Sequence, residues 1–216
     1  MAQRRSSFSE TLIRSALEPY EVQLTRELAA HISAYAELLS AWNRKISLTS
    51  LHDPIEILKV HFGESLFAAH LLQLEEGRLA DVGSGAGFPG LVLKVYRPKL
   101  HLTLIEANSK KAAFLSEVVR KLGIGSVRVF CGRMETYPER EGQFDFITCR
   151  AVGRFEELLY WASKTLATQG AVVLWAGDSG IQKIRREPGW SWEDPARLPE
   201  SGQRYVLIGR PSSAHC

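Results

Sequence analysis

The sequence predicts an α/β fold in which a mostly parallel sheet follows a helical N-terminal cap, and three observations support this prediction. Apolar residues recur at three- and four-residue steps over residues 8–74, the period of helices that bury one face. After Gly77, short apolar runs alternate with helical patterns, which is typical of a sheet built by right-handed crossovers. A glycine-rich segment, residues 83–90, follows the first run. We therefore expect a cap over residues 1–74 and one Rossmann-like domain over residues 75–216.

The cap is predicted to consist of several helices. Pro19 interrupts the first apolar period, because proline lacks the N–H that a helix interior needs. The sequence Asn43-Arg44-Lys45 ends the next helical run. Ser50, Asp53 and Pro54 then mark the start of another helix. Packing explains nearly all of the apolar positions in this part of the chain.

The following domain is predicted to alternate strands with helices. Strand-like apolar runs lie at residues 78–82, 101–105, 126–130, 144–148 and 171–175. Helical patterns lie at residues 89–97, 109–122, 155–167 and 179–186. A last strand is predicted at residues 204–208. Turn-forming residues make the segment before that strand irregular; they are Pro188, Gly189, Pro195, Pro199 and Gly202.

Composition limits the classes of protein that fit. The net charge of +3 and pI of about 8.8 permit a nucleic-acid partner without implying one. Cys131, Cys149 and Cys216 are scattered, so we expect no metal site and a reducing compartment. Residues 1–7 lack the apolar run of a signal peptide, and no apolar stretch has membrane-spanning length. We expect a cytoplasmic monomer with no membrane partner.

The segment 79–90 is the most informative part of the chain, because it reads as strand, glycine turn and helix. Two glycine patterns overlap in it. Glycines at 83, 85 and 87 form a pattern usual for S-adenosylmethionine sites, whereas residues 85–90 satisfy the dinucleotide pattern G-x-G-x-x-G. The strand ends at Val82, so the tight turn begins at Gly83, which favours the first pattern. Pro89 suits the first position of the following helix.

Further residues could complete a site for an adenosyl cofactor. Asp81 could hold the glycine loop or the amino group of a methionine moiety. Glu106 ends the next strand, roughly 20 residues on, where an acidic group can accept both hydroxyls of a ribose. Asn108 is a second candidate, or else the N-cap of the next helix. The pair Met134-Glu135 lies where such folds contact the adenine ring.

The sequence contains no arrangement typical of a hydrolytic nucleophile and no cluster of metal ligands. Methyl transfer from a sulfonium to a ring nitrogen with a free lone pair needs alignment rather than a general base. Arg150 follows a predicted strand, at the sheet edge where ligands bind. It could position a cofactor carboxylate, a phosphate or the O6 edge of a guanine, or it could be a surface arginine.

Four motifs together resemble a known family, the bacterial 16S rRNA (guanine-N7)-methyltransferases, called RsmG or GidB. Residues 42–50, WNRKISLTS, are similar to W-N-[KR]-x-x-N-L-T, and residues 61–65, HFGES, to H-F-x-D-S. Residues 81–90, DVGSGAGFPG, have nearly the family form, and residues 150–152 match R-A-V. Departures include Ser47 for asparagine, Met134 for alanine, and Gly63-Glu64 for an apolar-aspartate pair. The resemblance extends from about Leu38 to Arg210.

The resemblance implies a class I S-adenosylmethionine-dependent methyltransferase fold, S-adenosylmethionine as methyl donor, and N7 of a guanine in a 16S rRNA loop as acceptor. The cofactor site that we predict from the loop, the strand ends and the family positions consists of Asp81, Gly83, Ser84, Gly85, Gly87, Phe88, Glu106, Ala107, Asn108, Met134, Glu135 and Arg150. The expected partner is 16S rRNA or the 30S ribosomal subunit.

Several basic and polar residues are candidates for RNA contacts, although as charge alone they also fit a solvated surface. These candidates are Asn43, Arg44, Lys45, His61, Lys110, Lys111 and Arg154. Trp42 is predicted to belong to the helix core rather than to stack on a base. Two alternatives remain open at this point: an NAD-dependent oxidoreductase that uses the second glycine pattern, and a non-catalytic rRNA-binding assembly factor.

Overall fold

The computed structural model describes residues 7–72, 74–138, 143–150 and 153–212. Residues 1–6, Ala151, Val152 and Cys216, which entered the sequence predictions, lie outside the described residues. The strands are β1 (Gly77–Val82), β2 (Leu100–Glu106), β3 (Val127–Cys131), β4 (Phe144–Arg150), β5 (Leu166–Gly177), β6 (Trp190–Trp192), β7 (Ala196–Arg197) and β8 (Arg204–Pro211). They form one sheet in the order β3-β2-β1-β4-β5-β8-β6, and β7 also pairs with β8.

The sheet is mostly parallel, as predicted. The strands β1 to β5 run parallel to one another, and β8 runs antiparallel to β5, β6 and β7. The carboxyl ends of β1, β2 and β4 therefore meet at one edge of the sheet, with the residues that follow them. Ligands of open parallel sheets bind at this edge.

The helices are α1 (Glu10–Leu17), α2 (Arg26–Asn43), α3 (Pro54–Glu56), α4 (Glu64–Leu71), α5 (Gly90–Tyr96), α6 (Ser109–Leu122), α7 (Phe155–Thr165) and α8 (Asp178–Ile184), with 3-10 turns at Glu18–Tyr20 and Met134–Thr136. Side-chain caps start several of them: Thr25 accepts the N–H of Leu28 at 3.1 Å ahead of α2. Pro19 lies in the turn that ends α1, as expected. No helix in the described ranges is long and apolar enough to cross a membrane.

A π-helix, Ile57–Gly63, joins α3 to α4, and the sequence analysis did not predict it. The N–H of Glu64 bonds to the carbonyl of Lys59, five residues earlier. This wider turn keeps apolar residues at helical spacing, so the sequence pattern cannot distinguish it from an α-helix. Such segments often occur at functional sites.

One hydrophobic cluster continues from the N-terminal helices into the α/β part of the chain. It includes Leu39 of α2, Leu58 of the π-helix, Leu79 of β1 and Phe114 of α6. Trp42 packs edge-on against Phe114, with ring centroids 5.5 Å apart, which agrees with the predicted core role. The boundary at residue 74 between cap and domain stays a prediction.

Several predicted boundaries were wrong. Pro89 lies one residue before α5 and acts as its N-cap residue rather than opening the helix. The helix predicted to end at residue 167 ends at Thr165, because β5 begins at Leu166. The segment between α8 and β8 was predicted to be irregular, yet it contains β6 and β7. Their pairing with β8, rather than a local pattern, makes these short segments strands.

Candidate active site

The glycine loop between β1 and α5 holds three glycines in the left-handed region. The φ angles are +67° at Gly83, +56° at Gly85 and +89° at Gly87. A Cβ atom on Gly83 would meet nothing within 4 Å, and one on Gly85 would meet only the carbonyl oxygen of Gly83, at 3.7 Å. A Cβ on Gly87 would instead collide with the hydroxyl of Tyr35. Gly83 and Gly85 therefore border open space, whereas Gly87 is required for packing.

Glu106 ties the glycine loop to the next strand and helix. Its Oε2 accepts the N–H of Gly85 at 2.7 Å, and its Oε1 accepts the N–H of Asn108 at 2.7 Å. The N–H groups of Gly83 and Ser84 both bond to the carbonyl of Ile105, at 2.9 and 3.2 Å. Each carboxylate oxygen of Glu106 keeps a second lone pair, so the predicted contact with ribose hydroxyls stays possible for the same group.

Asn108 is the N-cap of α6, which was one of its two sequence interpretations. Its Oδ1 accepts the N–H groups of Lys110 and Lys111, at 3.0 and 3.2 Å. Ala107 and Asn108 are exposed beside the buried Glu106. Their predicted contacts with a cofactor stay predictions.

Asp81 is a fully buried carboxylate beneath the loop. Its Oδ1 accepts the Thr148 hydroxyl at 2.7 Å, and the Ser84 hydroxyl donates to its backbone carbonyl at 2.8 Å. Its Oδ2 lies against Gly90 and accepts no hydrogen bond of normal geometry from the described residues. Burial raises the pKa of Asp81 to about 7, against the opposing effects of Thr148, Ser84 and the backbone N–H of Gly90. A buried acceptor without a donor fits a ligand that carries an ammonium group.

Phe88, at the end of the loop, lies in an aromatic stack. Its ring is parallel to that of Tyr35 on one side, at 5.4 Å, and to that of His61 on the other, at 4.5 Å. Phe62 packs edge-on against both Tyr35 and Phe88, each at 5.3 Å. The Tyr35 hydroxyl also donates to the carbonyl of Ala86, at 2.5 Å. The Phe88 side chain therefore fastens the loop to α2 and the π-helix, and its predicted contact with a cofactor stays a prediction.

Asn43 and His61, both predicted RNA contacts, are parts of one hydrogen-bonded support. The Asn43 amide accepts the N–H groups of Leu48 and Thr49 and donates to the Thr49 carbonyl, at 2.8, 3.0 and 2.9 Å. The Thr49 hydroxyl in turn bonds to His61 Nε2 at 2.8 Å. Burial, with the charges of Arg150 and Arg204, lowers the pKa of His61 to about 3, so the ring is neutral at pH 7. RNA contacts by these two residues stay predictions.

Arg150 ends β4 at the predicted sheet edge, and its guanidinium points to the π-helix and α4. Its Nη1 donates to the carbonyl of Val60 at 2.8 Å, and its Nη2 donates to Oε2 of Glu64 at 3.0 Å. Glu64 is 1% exposed, and its Oε1 forms an ion pair with Nη2 of Arg204 at 2.7 Å. Arg150, from the motif that matches R-A-V, thus contacts Glu64, from the motif that resembles H-F-x-D-S. Arg204 is not among the residues predicted from the sequence, because nothing local to β8 marks it.

The remaining candidates lie around the same edge. Met134 is partly buried and Glu135 is exposed, in the 3-10 turn that follows β3. Arg44 and Lys45 are exposed after α2, and Lys110 is exposed at the start of α6. Arg154 is exposed and pairs with Glu157 at 3.0 Å. Among the described residues, no group of three or more histidine, cysteine, aspartate or glutamate side chains could hold a metal ion.

Comparison with known proteins identifies the family. A family model described as rRNA small subunit methyltransferase G matches residues 28–189. The protein of that name from Roseiflexus castenholzii is 39% identical over 174 residues, 76% of this chain and 74% of the relative. The one from Xylella fastidiosa strain 9a5c is 35% identical over 193 residues, 88% of this chain and 90% of the relative. The chain belongs to this family. It is therefore a methyltransferase, as predicted.

Solved structures confirm the predicted fold class. The crystal structure of a SAM dependent methyltransferase from Aquifex aeolicus matches with a TM-score of 0.61 at 17% identity, covering 75% of this chain and 95% of that chain. At this identity the likeness shows the fold alone. The described sheet and helices are those of a class I methyltransferase.

Proposed function

We propose that the chain transfers the methyl group of S-adenosylmethionine to N7 of a guanine in the 16S rRNA of the small ribosomal subunit. The observation that carries this proposal is the open space over Gly83 and Gly85, in a loop that follows the buried carboxylate of Asp81. Membership in the rRNA small subunit methyltransferase G family supports the substrate. Nothing in the comparisons supports an oxidoreductase or a non-catalytic assembly factor.

The donor set at this edge fits the parts of S-adenosylmethionine, which supplies a methyl group bound to a sulfonium. Asp81 Oδ2 would accept the ammonium of the methionine moiety, which brings the positive charge that this carboxylate lacks. Glu106 would accept the ribose hydroxyls, as acidic residues at the end of β2 do in related nucleotide sites. Gly83 and Gly85 would let the ligand approach the backbone closely.

The outer candidates lie beyond the carboxyl ends of β2 and β3. Ala107 and Asn108 are exposed just beyond Glu106, and Met134 and Glu135 follow the neighbouring strand β3. We propose that these residues line the adenine. Ser84 and Gly87 act within the loop, by a hydrogen bond to Asp81 and by packing on Tyr35.

The chemistry requires positioning rather than proton transfer. Guanine N7 has a free lone pair, so no group needs to deprotonate it before attack. Alignment of donor and acceptor can supply most of the rate acceleration for such a transfer. His61 stacks on Phe88 and bonds to Thr49, and its pKa, lowered to about 3 by burial, makes it a weak base.

The RNA target is proposed to be a loop or a splayed base. In an A-form helix, N7 lies in a deep and narrow groove that side chains do not reach. Extracting the base costs a few kcal/mol of stacking, which contacts in the pocket offset. The exposed cations Arg44, Lys45, Lys110 and Arg154, together with the half-buried Lys111, would contact the backbone phosphates.

The decisive experiment measures transfer of a labelled methyl group from S-adenosylmethionine to intact 30S subunits and, separately, to deproteinised 16S rRNA. We expect label in the RNA of at least one substrate, and nucleotide analysis by mass spectrometry should identify it as 7-methylguanosine. Label in another nucleotide or in ribosomal protein would contradict the proposed acceptor. We further propose that the chain acts as a monomer in the cytoplasm, which sedimentation of the active protein can test.

A further inference from the structure

Two arginines flank the buried carboxylate of Glu64, and the proposed reaction does not explain the second of them. Arg150 contacts Oε2 and Arg204 contacts Oε1, at 3.0 and 2.7 Å. The carboxylate is 1% exposed, whereas the side chains of Arg150 and Arg204 are 20% and 47% exposed. One anion therefore holds two cations side by side, and both cations remain accessible.

The charge around Glu64 is unbalanced. A buried carboxylate needs strong compensation for its desolvation, and one guanidinium can supply an ion pair. Here a second guanidinium is added, while the nearby pair Lys59–Glu200, at 2.7 Å, is neutral as a unit. The side chains of Glu64, Arg150 and Arg204 together carry one excess positive charge. A ligand with one negative charge would complete it.

Each of the two arginines also has a guanidinium N–H donor that contacts no acceptor among the described residues. Arg150 uses Nη1 and Nη2 for Val60 and Glu64, and Arg204 uses Nη2 for Glu64 and Nε for the Ser201 hydroxyl. Within the part of the chain that the structure describes, Nε of Arg150 and Nη1 of Arg204 have no acceptor. Guanidinium groups suit phosphate oxygens, because their planar N–H donors match the spacing of those oxygens.

Arg204 lies toward the side of the sheet away from the glycine loop, whereas Arg150 lies only one strand from the loop, because Cys149 of β4 pairs with Val82 of β1. Arg150 ends β4, and Arg204 opens β8 opposite Gly177, the last residue of β5. The glycine loop and Glu106 belong to β1 and β2, so β4 and β5 separate β8 from the loop. With strands about 4.8 Å apart, Arg204 begins about 14 Å from β1. For Arg204, this distance favours the acceptor substrate over the cofactor carboxylate as the anion.

We propose that Glu64 holds Arg150 and Arg204 as a pair that binds a backbone phosphate of the RNA beside the target guanine. Glu64 is then a positioning residue, and the two arginines contact the substrate. The inference rests on the proposed function, because it assumes an RNA acceptor. The shared chemistry, a singly charged oxyanion, also occurs in the cofactor carboxylate, and the test below separates the two.

The experiment compares Arg204→Ala with Arg210→Ala by steady-state methyl transfer to 30S subunits over a range of salt concentrations. Arg210 is a close control, because it lies on the same strand, is also 47% exposed and also pairs with one glutamate, Glu193. We expect Arg204→Ala to raise KM for subunits roughly tenfold, the loss typical of a charge-assisted hydrogen bond. The slope of log KM against log salt should fall by about 0.7, the value for one phosphate of a single strand.

The other readouts distinguish this contact from alternatives. In Arg204→Ala, KM for S-adenosylmethionine should stay unchanged. If KM for S-adenosylmethionine rises while KM for subunits stays unchanged, Arg204 contacts the cofactor and the proposal is wrong. Arg204→Lys, which keeps the charge, should restore the salt slope. If Arg204→Ala does not fold, Arg204→Gln removes the charge while keeping a donor near Glu64, and the same changes in KM and slope are expected.

The two proposals fail in different ways. If wild-type protein leaves no 7-methylguanosine in rRNA, the proposed function is wrong, and the phosphate contact is wrong with it. If wild-type protein methylates rRNA and folded Arg204→Ala has the same KM and salt slope as Arg210→Ala, only the phosphate contact is wrong.

Discussion

Asp81 and Glu64 are both buried carboxylates at the carboxyl edge of the sheet, but their surroundings differ. Asp81 has one hydroxyl donor, from Thr148, and an Oδ2 that receives no hydrogen bond within the described residues. Glu64 lies between Arg150 and Arg204. The first carboxylate lacks a counter-charge, whereas the second has two, although burial still raises the pKa of Glu64 above its ordinary value.

The two proposals together assign this difference to two complementary ligand sites. A carboxylate that is buried without a cation is costly to ionise, so it favours a ligand that brings positive charge. A carboxylate between two guanidinium groups is already neutralised, so the excess charge favours an anion. The first site matches the ammonium of a methyl donor, and the second matches the phosphate of an RNA acceptor.

The largest effect is expected for Glu64→Gln. Removing the anion leaves two partly buried guanidinium groups in contact without compensation, and breaking such a pair typically costs about 3–5 kcal/mol of unfolding free energy. The matched control is Glu193→Gln, because Glu193 pairs with Arg210 at an exposed site and should cost less than about 1 kcal/mol. Urea unfolding of both variants measures the difference. Equal losses would show that Glu64 is no more important than a surface ion pair.

Asp81→Asn should have the opposite effect on the cofactor-free protein. The folded-state pKa of about 7 lies above the ordinary value of 3.8, so the contribution of Asp81 to stability is full below pH 4 and is lost as the pH rises through 7. We expect the variant to be more stable than the wild type by about 2–4 kcal/mol at pH 8, with little gain at pH 4. Thermal or urea unfolding at both pH values measures this change.

The same variant should bind S-adenosylmethionine more weakly, because the ammonium loses its counter-charge. Calorimetry at pH 8 provides that second readout. A variant that is destabilised at pH 8, or that binds the cofactor with wild-type affinity, would contradict the role assigned to Asp81.

The two carboxylates also show how far the sequence alone could lead. Asp81 was predictable, because it lies near the end of an apolar run, one residue before a glycine turn, and both signals lie within a few residues. The pairing of Glu64 with Arg150 joins residues 86 positions apart, and Arg204 follows strands β6 and β7, which are too short to show an alternating pattern. Such contacts depend on strand order and on the unpredicted π-helix, neither of which a local pattern contains.

A smaller effect should separate the glycine loop from glycines that serve the backbone only. Gly83 and Gly123 have nearly the same φ, +67° and +64°, and a Cβ on either would meet nothing within 4 Å. Gly83→Ala and Gly123→Ala should therefore both lose about 1 kcal/mol of stability to left-handed strain. Only Gly83→Ala should weaken S-adenosylmethionine binding, by roughly tenfold or more, since its methyl group enters the proposed ligand space. Calorimetry with both variants tests this, and equal affinities would place the cofactor elsewhere.

The last effect concerns His61, which opposes Asp81 in its pH dependence and is masked by it in the wild type. Its folded-state pKa of about 3 lies below the ordinary 6.5, so its contribution to stability is full above pH 6.5 and is lost as the pH falls toward 3. In the wild type this loss is offset by the gain as Asp81 becomes protonated. The Asp81→Asn background should reveal it as a loss of roughly 1 kcal/mol per pH unit between pH 6 and 4.

Adding His61→Phe to that background should remove this pH dependence while keeping a ring stacked on Phe88. The control is His31→Phe in the same background, because His31 is a half-buried histidine of α2. Unfolding free energies at pH 4, 5 and 6 decide the matter. If His61→Phe and His31→Phe change the slope equally, the acid sensitivity belongs to another group. If only His61→Phe flattens it, the neutral imidazole beside Arg150 and Arg204 is the cause, because protonating it would add a third cation to a cluster that has one carboxylate.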